Sequence, residues 1–531
     1  MLALAPGVIL DEFGEPIQKR NGRKRMQLAD AFAKAESEKQ AKRRGLSASY
    51  DGANTGDDTE KYWANADGLD ADSSNSYSVR QTLVRRSRHA NSINGIADGI
   101  TKTMATDIVG KGPALRMQTG SEGFNRMVER EWNAWTKEIQ FRRKLWCMAH
   151  AYDQDGEGIA VIRRNRRLRH AVKLDLKLTE TEQCHTPYLP YNQAGKIDGI
   201  EFDEFGNPTV YEFLKHHPGS SNSINAWAET ERVDAKFVCH WFQMIRPGQH
   251  RGIPKGTSTL NIGAASHRWR EATLGAAENV ANFSLFIKTM FEPDEVDTVD
   301  PMATLDIQKR MMVALPAGYD AFQPKAEQPT ANHGEFNKAL ISEQARPRSM
   351  PYNKAACDSS QHNFASGRLD HIPYFAGIDD VDRLDCNDLV LEPLFRVWFD
   401  FAVMAFGWLG GNPDSINDAG RVHTWDWPKH TIADEKSEAA AKDTKLKNGS
   451  TSLVDVSNEC GEDYEDKIQR TATANGITVD QQRTINLLTN TPQHLVQAVT
   501  TLLGLAPEPV APVAPATPDN EGSEDDDAQD S

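Results

Sequence analysis

The chain has 531 residues, enough for about three domains by length, and a formal net charge of −16 at pH 7. Its six cysteines (Cys147, Cys184, Cys239, Cys357, Cys386 and Cys460) stand far apart with no C-x-x-C pair, which fits a reducing compartment and excludes a disulfide framework. The most apolar run, "LFRVWFDFAVMAFGWLGG" (394–411), contains Arg396 and Asp400, charges costly inside a bilayer, and "MLALAPGVIL" lacks the basic start of a signal peptide, so a soluble protein away from membranes is expected.

Charge is unevenly placed along the chain. Residues 19–44 carry ten Lys/Arg against three acids, so residues 1–75 are expected to be a basic, flexible arm, either partly helical or a solvated tether. From 76 to 112, Leu83, Ile93, Ile96, Ile100 and Met104 recur mostly at three- or four-residue steps, which predicts one or two helices stopped by Gly110 and Gly112. Arg80, Arg85, Arg86 and Arg88 read there as a solvated face, with a phosphate-binding patch as the sharper alternative. In "FNRMVEREWNAWTK" (124–137), Met127, Val128, Trp132 and Trp135 share a helical face, which makes the tryptophans core. From 156 to 245 the texture turns to strands, "GEGIAVIRR", "YEFLKHH" and "KFVCHWFQMI", parted by Asn/Gly/Pro turns, so an α+β domain is expected. His216-His217 has no third ligand close in sequence and reads as surface histidine. The run "RRNRRLRH" (163–170) could face phosphates or block edge pairing at a sheet.

Residues 246–260, "RPGQHRGIPKGTSTL", crowd glycine, lysine and hydroxyls as a phosphate-binding loop does. A P-loop needs Gly-Lys-[Ser/Thr] after a spaced glycine, and here Lys255 precedes Gly256, so the stretch reads as a strand-to-helix turn. In "HRWREATLGAAENVANFSLFIKTMF" (267–291), Trp269, Thr273, Ala276, Val280, Phe283, Ile287 and Met290 make a seam of period 3.5, the period of helices packed side by side. At ~1.5 Å rise this is a rod of about 40 Å. "EPDEVDTVDP" (292–301), with two prolines and five acids, is an exposed acidic connection, and "GEFNKALISEQA" (334–345) a second helix. Beyond it lies a helical stretch with Pro373 and Pro393 as kinks. Asp382, Asp385, Asp388 and Glu392 fall on one face, read as acidic and wet; no EF-hand glycine and no nucleophile accompany them. Thr431…Asp434 and Ser452…Asp455 fit capping boxes, and Gly449, Gly461 and Gly476 fit helix C-termini, so a small all-α domain is expected at 431–500. The last 26 residues hold eight acids, five prolines and no Lys or Arg, a composition expected to be disordered.

Several blocks in this order resemble the lambda-type family of tailed-phage portal proteins. They are "DIVGKG" (107–112), "DGEGIAVIRR" (155–164), "RPGQHRGIPKGTSTL" (246–260), "MPYNKAACDSSQHNFASGRLD" (350–370) and "WDWPKHTIADEKSEAAAKDTKLKNGSTSL" (425–453). The fourth is similar to the family's Pro-Tyr…Asp-x-Ser…Asn-[Tyr/Phe]-Ser-Ser-x-Arg pattern, with Ala365 in place of a serine and Gly367 beside Arg368.

The resemblance implies an α+β, portal-like fold: an α/β wing at 76–260, a stem helix at 261–291, a small clip at 292–333 and a second stem helix at 334–350. A tunnel loop at 351–364, a wing segment with the long kinked helix at 365–430, the all-α crown at 431–500 and the acidic tail at 501–531 follow. It implies a ring of about twelve subunits around a channel for double-stranded DNA at one capsid vertex of the virion, assembled in the host cytoplasm. The implied partners are the terminase large subunit, head–tail connector proteins and a major capsid or scaffold protein. Tunnel candidates are Asn353, Lys354, Ser359, Ser360, Gln361, Asn363 and Arg368; clip docking candidates are Glu292, Asp294, Glu295 and Asp297; stem packing candidates are Trp269, Val280, Phe283 and Ile287. No cofactor, metal or catalytic residue is expected. An ATPase or nuclease should show Walker motifs or a metal-ligand set, and another capsid component should lack the stem seam followed by the Pro-Tyr block.

Overall fold

The computed structural model describes residues 60–64, 66–185, 195–221, 229–282, 286–289, 319–322, 332–360, 363–411, 416, 418–430, 435–459 and 464–490. Met1–Asp70 and Ala71–Ser531 are separate units. Of the first, a helical turn at Glu60–Trp63 is described; the expected basic arm at 19–44 lies outside the described residues, as does the acidic tail.

After a single helical turn at Ala71–Ser74, the second unit continues with two helices, α1 (Tyr77–Ile93) and α2 (Gly95–Val109), where the apolar steps predict them. Asn94 separates them and caps α2, its side chain accepting from the Ile96 N–H. Gly110 and Gly112 end α2 at φ of 52° and 96°, backbone that glycine tolerates best. Strand β1 (Ala114–Met117) precedes α3 (Glu122–Glu138) and α4 (Phe141–Gln154). Then come β2 (Glu157–Arg164) and β3 (Leu174–Thr179). A meander follows, β4 (Lys196–Ile197), β5 (Ile200–Phe202), β6 (Pro208–Leu214) and β7 (Thr230–Asp234), and then β8 (Val238–Phe242). Sheet order is β3-β2-β8 in one sheet and β4-β5-β6-β7 in another, all antiparallel.

Strand β2 joins two cores by its alternation. Ala160 and Ile162 face the larger core, and Ile159 and Val161 face a smaller one with Tyr211, Phe213 and Val238. The larger core centres on aromatics: Trp132 and Trp135 of α3 pack with Phe395 and Trp398, ring centroids 5.0–6.1 Å apart. The tryptophan reading of α3 therefore agrees with the structure.

A long excursion leaves the sheets after β8. Helix α5 (Leu260–Asn282) ends earlier than the period-3.5 seam predicts. Phe286–Thr289 is a strand, β9, paired antiparallel with β10 (Tyr319–Phe322). Ile287 therefore sits opposite Ala321 in a sheet, not on the helix: "FIKT" is dense in aromatic and β-branched residues, and a cross-strand partner satisfies the backbone that a helix would otherwise satisfy. Val280 is on α5 with its side chain undescribed, and Phe283, Glu292, Asp294, Glu295 and Asp297 lie outside the described residues. Helix α6 (His333–Ala345) packs on α5, with Trp269 stacked on His333 at 4.6 Å and edge-on to Phe336 at 5.1 Å.

The expected loop at 351–364 is partly helical: α7 (Tyr352–Ala356) occupies its first half. Next, α8 (Phe364–Gly377), α9 (Arg383–Cys386) and α10 (Glu392–Ala405) run on through π-helical turns at Ile378–Asp382 and Asn387–Leu391. Pro373 is inside α8, and Pro393 follows directly on the second π-helical turn within the continuous run, where the wider turn accommodates its missing N–H. Strand β11 (His423–Asp426) returns to pair with β1, a long-range pairing the pattern alone does not reveal. Helices α11 (Glu435–Lys447), α12 (Leu453–Glu459), α13 (Tyr464–Asn475) and α14 (Val479–Asn490) are the last described elements. The box at Ser452 forms as read, with the Asp455 N–H donating to Ser452 Oγ and the Ser452 N–H to Asp455 Oδ2, and Gly449 and Gly476 are left-handed. Thr431, Asp434 and Gly461 lie outside the described residues.

Gly156 allows no side chain, because its φ is +87° and an added Cβ would overlap the Ile253 backbone. Gly156→Ala should therefore cost at least ~2 kcal/mol of stability, read as a lowered denaturation midpoint. Gly275→Ala, in open space on α5, should be neutral or stabilising by about 1 kcal/mol.

Candidate nucleic-acid interface

The loop between α7 and α8 is short and pinned at its base. Cys357 ends α7 in the left-handed region (φ 52°), and the Ser360 N–H donates to Asp358 Oδ1 at 3.0 Å in a local turn. Asn363 caps α8, accepting from the Ser366 N–H at 2.8 Å. Both flanking helices meet at one carboxylate of α2. Lys354 Nζ donates to Asp107 Oδ2 at 2.6 Å and the Tyr374 hydroxyl to the same oxygen at 2.8 Å. Burial and the Asp107 charge raise the Tyr374 pKa, so this hydroxyl stays a donor. Asn353 meets His371 of α8 at 3.0 Å.

Of the expected tunnel residues, Ser359, Ser360, Asn363 and Arg368 are exposed, and Asn353 and Lys354 are half-buried and committed to partners; Gln361 lies outside the described residues. Lys354 also rests on the Phe375 ring at 4.7 Å. The lone base between 351 and 367 is thus neutralised, and the loop tip offers small polar groups.

What places this segment is a buried carboxylate one residue from the end of α4. Asp153, fully buried, accepts both arms of the Arg348 guanidinium at 2.7 Å and the Thr101 hydroxyl at 2.8 Å. Burial alone would raise its pKa; Arg348 overcomes that and holds it below the usual carboxylate range. The Asp153 carbonyl accepts from the Lys255 N–H at 3.2 Å. Lys255 Nζ donates to Asp382 Oδ1 at 2.5 Å, lies 4.4 Å from the Tyr152 ring centre, and shares Asp382 with the Tyr152 hydroxyl. The chain thus leaves for α5 and returns from α6 at one place. Asp382 is 3% exposed, which corrects the reading of a uniformly wet acidic face: the π-helical turn carries it inward to meet Lys255. On the same helix burial, followed by repulsion from Asp382, raises the Asp385 pKa to about 6, and Glu392, bonded by His423 and Arg396, is held at about 2.

The stretch at 246–260 is a turn, but its glycines are half of its role. Arg251 is 1% exposed, and its guanidinium donates to Glu157 at 2.5 and 3.0 Å, to the Cys184 carbonyl at 3.0 Å and to the Asp198 carbonyl at 2.7 Å. Glu157 also accepts from the Gly252 N–H and pairs with His240, and its pKa is held well below the carboxylate range against burial. Gly252 lies against the Gly156 carbonyl, which brings Arg251 to Glu157. Sequence reasoning missed this hub. The available signal was a lone Arg between a turn and a Gly-x-Pro, which is common on surfaces too.

Two further sequence readings change. Arg80 is buried beside Asp198, and Arg88 bonds Asp155 at 2.7 and 2.9 Å, so these two leave the solvated face, on which Arg85 and Arg86 remain exposed as read. His217 meets Glu180 and Glu182, a set with ligand atoms within 4.8 Å of one another. Arg88 already bonds both acids at 2.9 and 3.1 Å, and His217 Nδ1 accepts from the Gly219 N–H, leaving Nε2 as a donor to Glu182 at 3.0 Å. This donor set suits an ion-pair junction rather than a cation.

Comparison with known proteins adds the following. The family described as "Phage portal protein, lambda family" matches residues 58–380. A "Probable portal protein" of Halomonas phage phiHAP-1 is 24% identical over 419 residues, covering 73% of this chain and 79% of that one. Among solved structures, a chain of the "Virion of native gene transfer agent (GTA) particle" aligns with TM-score 0.38 and 15% identity, over 72% of this chain and 93% of its own. An HK97 family phage portal protein from Corynebacterium diphtheriae aligns with TM-score 0.28 and 11% identity, over 57% and 92%.

Two outcomes follow from the buried charges. Arg348→Ala strands Asp153 without its partner and should cost about 3–5 kcal/mol, whereas Asp153→Leu with Arg348→Met should recover most of it, as read by denaturation midpoints. The raised pKa of Asp385 means the folded state binds its proton more tightly than the unfolded chain, near 3.8. Its stabilising contribution is full below about pH 4 and lost as pH rises through about 6. Asp385→Asn should therefore raise Tm at pH 7 and leave it unchanged at pH 4.

Proposed function

Because the chain belongs to the lambda family of phage portal proteins, we propose that it closes into a ring of about twelve copies around a channel for double-stranded DNA at one capsid vertex. The ring is a conduit without chemistry of its own. The packaging motor, through the terminase large subunit, docks on it first and head–tail connector proteins later, and a major capsid or scaffold protein surrounds it during assembly in the host cytoplasm. The α5–α6 excursion is the stem, and the segment between its strands is the clip, whose acids Glu292, Asp294, Glu295 and Asp297 steer a basic partner. Trp269 packs the stem within each subunit.

One observation carries the channel reading of the α7–α8 loop: the Lys354 charge is taken up by Asp107. DNA affinity grows with each phosphate neutralised, so a surface over which DNA slides should hold few free cations. Ser359, Ser360 and Asn363 meet that requirement, offering hydrogen bonds that break easily, while Arg368 one turn into α8 adds a single charge. Lys255, the residue nearest to a phosphate-binding lysine by sequence, is spent on Asp382, which supports the absence of nucleotide chemistry.

The test adds charge where none is wanted. Ser359→Lys with Ser360→Lys should leave ring assembly intact, by light scattering, yet slow DNA packaging several-fold, more so at low salt. Packaging at the normal rate at low ionic strength would remove the loop from the channel, and a strictly monomeric chain at high concentration would remove the ring.

A further inference from the structure

The β2–β3 turn carries "RRNRRLRH", and the structure makes it a built feature rather than a frayed edge. Strand β2 is paired on both sides over Ile159–Val161, and the arginines lie past the β8-paired span, at and beside the turn itself. Asn165 organises the turn: its side chain accepts from the Arg167 N–H at 3.0 Å and donates to Asp175 at 2.8 Å, and its N–H donates to the Lys173 carbonyl at 2.7 Å. Glu138, the last residue of α3, accepts from the backbone N–H groups of Arg169 and His170. Lys173 bridges back to the Leu168 carbonyl at 2.6 Å.

The acids nearest the turn are therefore already engaged. Glu138 is used on backbone, Asp175 on Lys144 and Asn165. Arg163 pairs with Glu231. Arg164, Arg166, Arg167 and Arg169 are exposed, and none of the four guanidinium groups has an ion-pair partner among the described residues. A rigid turn with this much ordering and four open guanidiniums suits a polyanionic partner.

The chain contains such a partner. Its last 26 residues hold eight acids and no base, densest at Asp519–Asp530. The geometry brings the two within reach of each other. On α13, Glu465 bonds Arg126 of α3 at 3.3 Å and Arg483 of α14 at 2.6 Å. Helix α3 thus carries the C-terminal helices near its start and the arginine turn at its end, Glu138. Arg126 and Glu138 are separated by ~18 Å along the helix. Between Asn490 and Asp519 lie 28 residues, a chain length that covers ~40 Å even at 1.5 Å per residue.

We propose that the acidic C-terminal segment binds the arginine turn, in its own subunit or a neighbouring one, and shields it from nucleic acid. Tethering supplies an effective concentration on the order of mM, so weak charge pairs suffice. The shielding removes four exposed cations that would otherwise hold DNA non-specifically. This inference does not depend on the channel loop or on ring closure.

The experiment uses the full chain and a fluorescent 20-base-pair duplex, with binding followed by anisotropy at ~50 mM salt. Neutralising the tail (Glu521→Gln, Glu524→Gln, Asp525→Asn, Asp526→Asn and Asp527→Asn) should tighten duplex binding about tenfold or more. Replacing Arg164, Arg166, Arg167 and Arg169 by Ala should abolish that gain. A synthetic peptide of residues 506–531 should bind the tail-neutralised chain, weaken with salt, and fail to bind once the arginines are replaced as well. Duplex binding unchanged by the tail substitutions, or a gain that persists without the arginines, would overturn the proposal. Equal, tight duplex binding by wild type and tail variant through these arginines would make the turn a nucleic-acid site instead.

Discussion

The rest of the structure depends on the clamp at Asp153. A carboxylate with no solvent exposure is costly unless paired and fully hydrogen-bonded, and Asp153 has both arms of Arg348 and the Thr101 hydroxyl. Its backbone carbonyl holds Lys255 on the outgoing strand of the same excursion. Departure to α5 and return from α6 are thus referenced to one residue of α4, itself packed in the main core through Leu145 and Met148. Buried ion pairs of this kind add little net stability compared with apolar packing, and their best-attested use is to fix register. Here the register fixed is that of an arm roughly ninety residues long, on the scale where conformational entropy would otherwise leave the two ends free to drift.

The second constraint lies one turn further along the chain. Glu157 begins β2, and through Arg251 it ties together the loop before α5, the Cys184 and Asp198 carbonyls and, by way of His240, strand β8. His185, beside this hub and bonded to Asp198, has its pKa lowered to about 4 by burial and then by Arg251 and Arg80, so it stays neutral at physiological pH. Gly156, Gly158 and Gly252 are the steric condition for the arrangement, since a Cβ at any of them would collide with neighbouring backbone. Gly156 of "DGEG" and Gly252 of "HRGIPKG" therefore share one cause, two backbones approaching closely around a buried Glu–Arg pair, while Gly158 makes room for the Met148 backbone and Gly256 for Arg348.

Local features of the fold were legible in the sequence. The helix breaks at Gly110 and Gly112, the tryptophan face of α3, the Ser452–Asp455 box and the C-terminal glycines each depend on residues within a few positions of one another. The misreadings concern interactions between distant positions. Arg348 and Asp153 are 195 residues apart, and Arg251 and Glu157 are 94 apart; no spacing rule reaches that far. Asp382 looked like a wet carboxylate because Asp385, Asp388 and Glu392 follow it at three- and four-residue steps, yet a π-helical turn shifts the phase by a residue and points it inward. The α5 seam failed at Ile287 for a related reason. A heptad and a short alternating strand both accept "FSLFIKT", and the pairing with β10 decides between them.

The candidate loop inherits its position from these clamps. Arg348 is held by Asp153, and six residues later Lys354 is held by Asp107, which also binds Tyr374 of α8. Between the last anchor on α7 and the cap of α8 lie only eight residues, and the base of the loop cannot move without breaking a buried or half-buried pair. The same pair that fixes the base consumes the charge of Lys354. Anchoring and neutralisation are therefore one interaction seen from two sides: a loop freed from Asp107 would become mobile and cationic together, and both changes would strengthen its hold on a passing phosphate backbone. A surface meant to touch DNA without holding it is best built from a segment whose own base has already been spent on the fold.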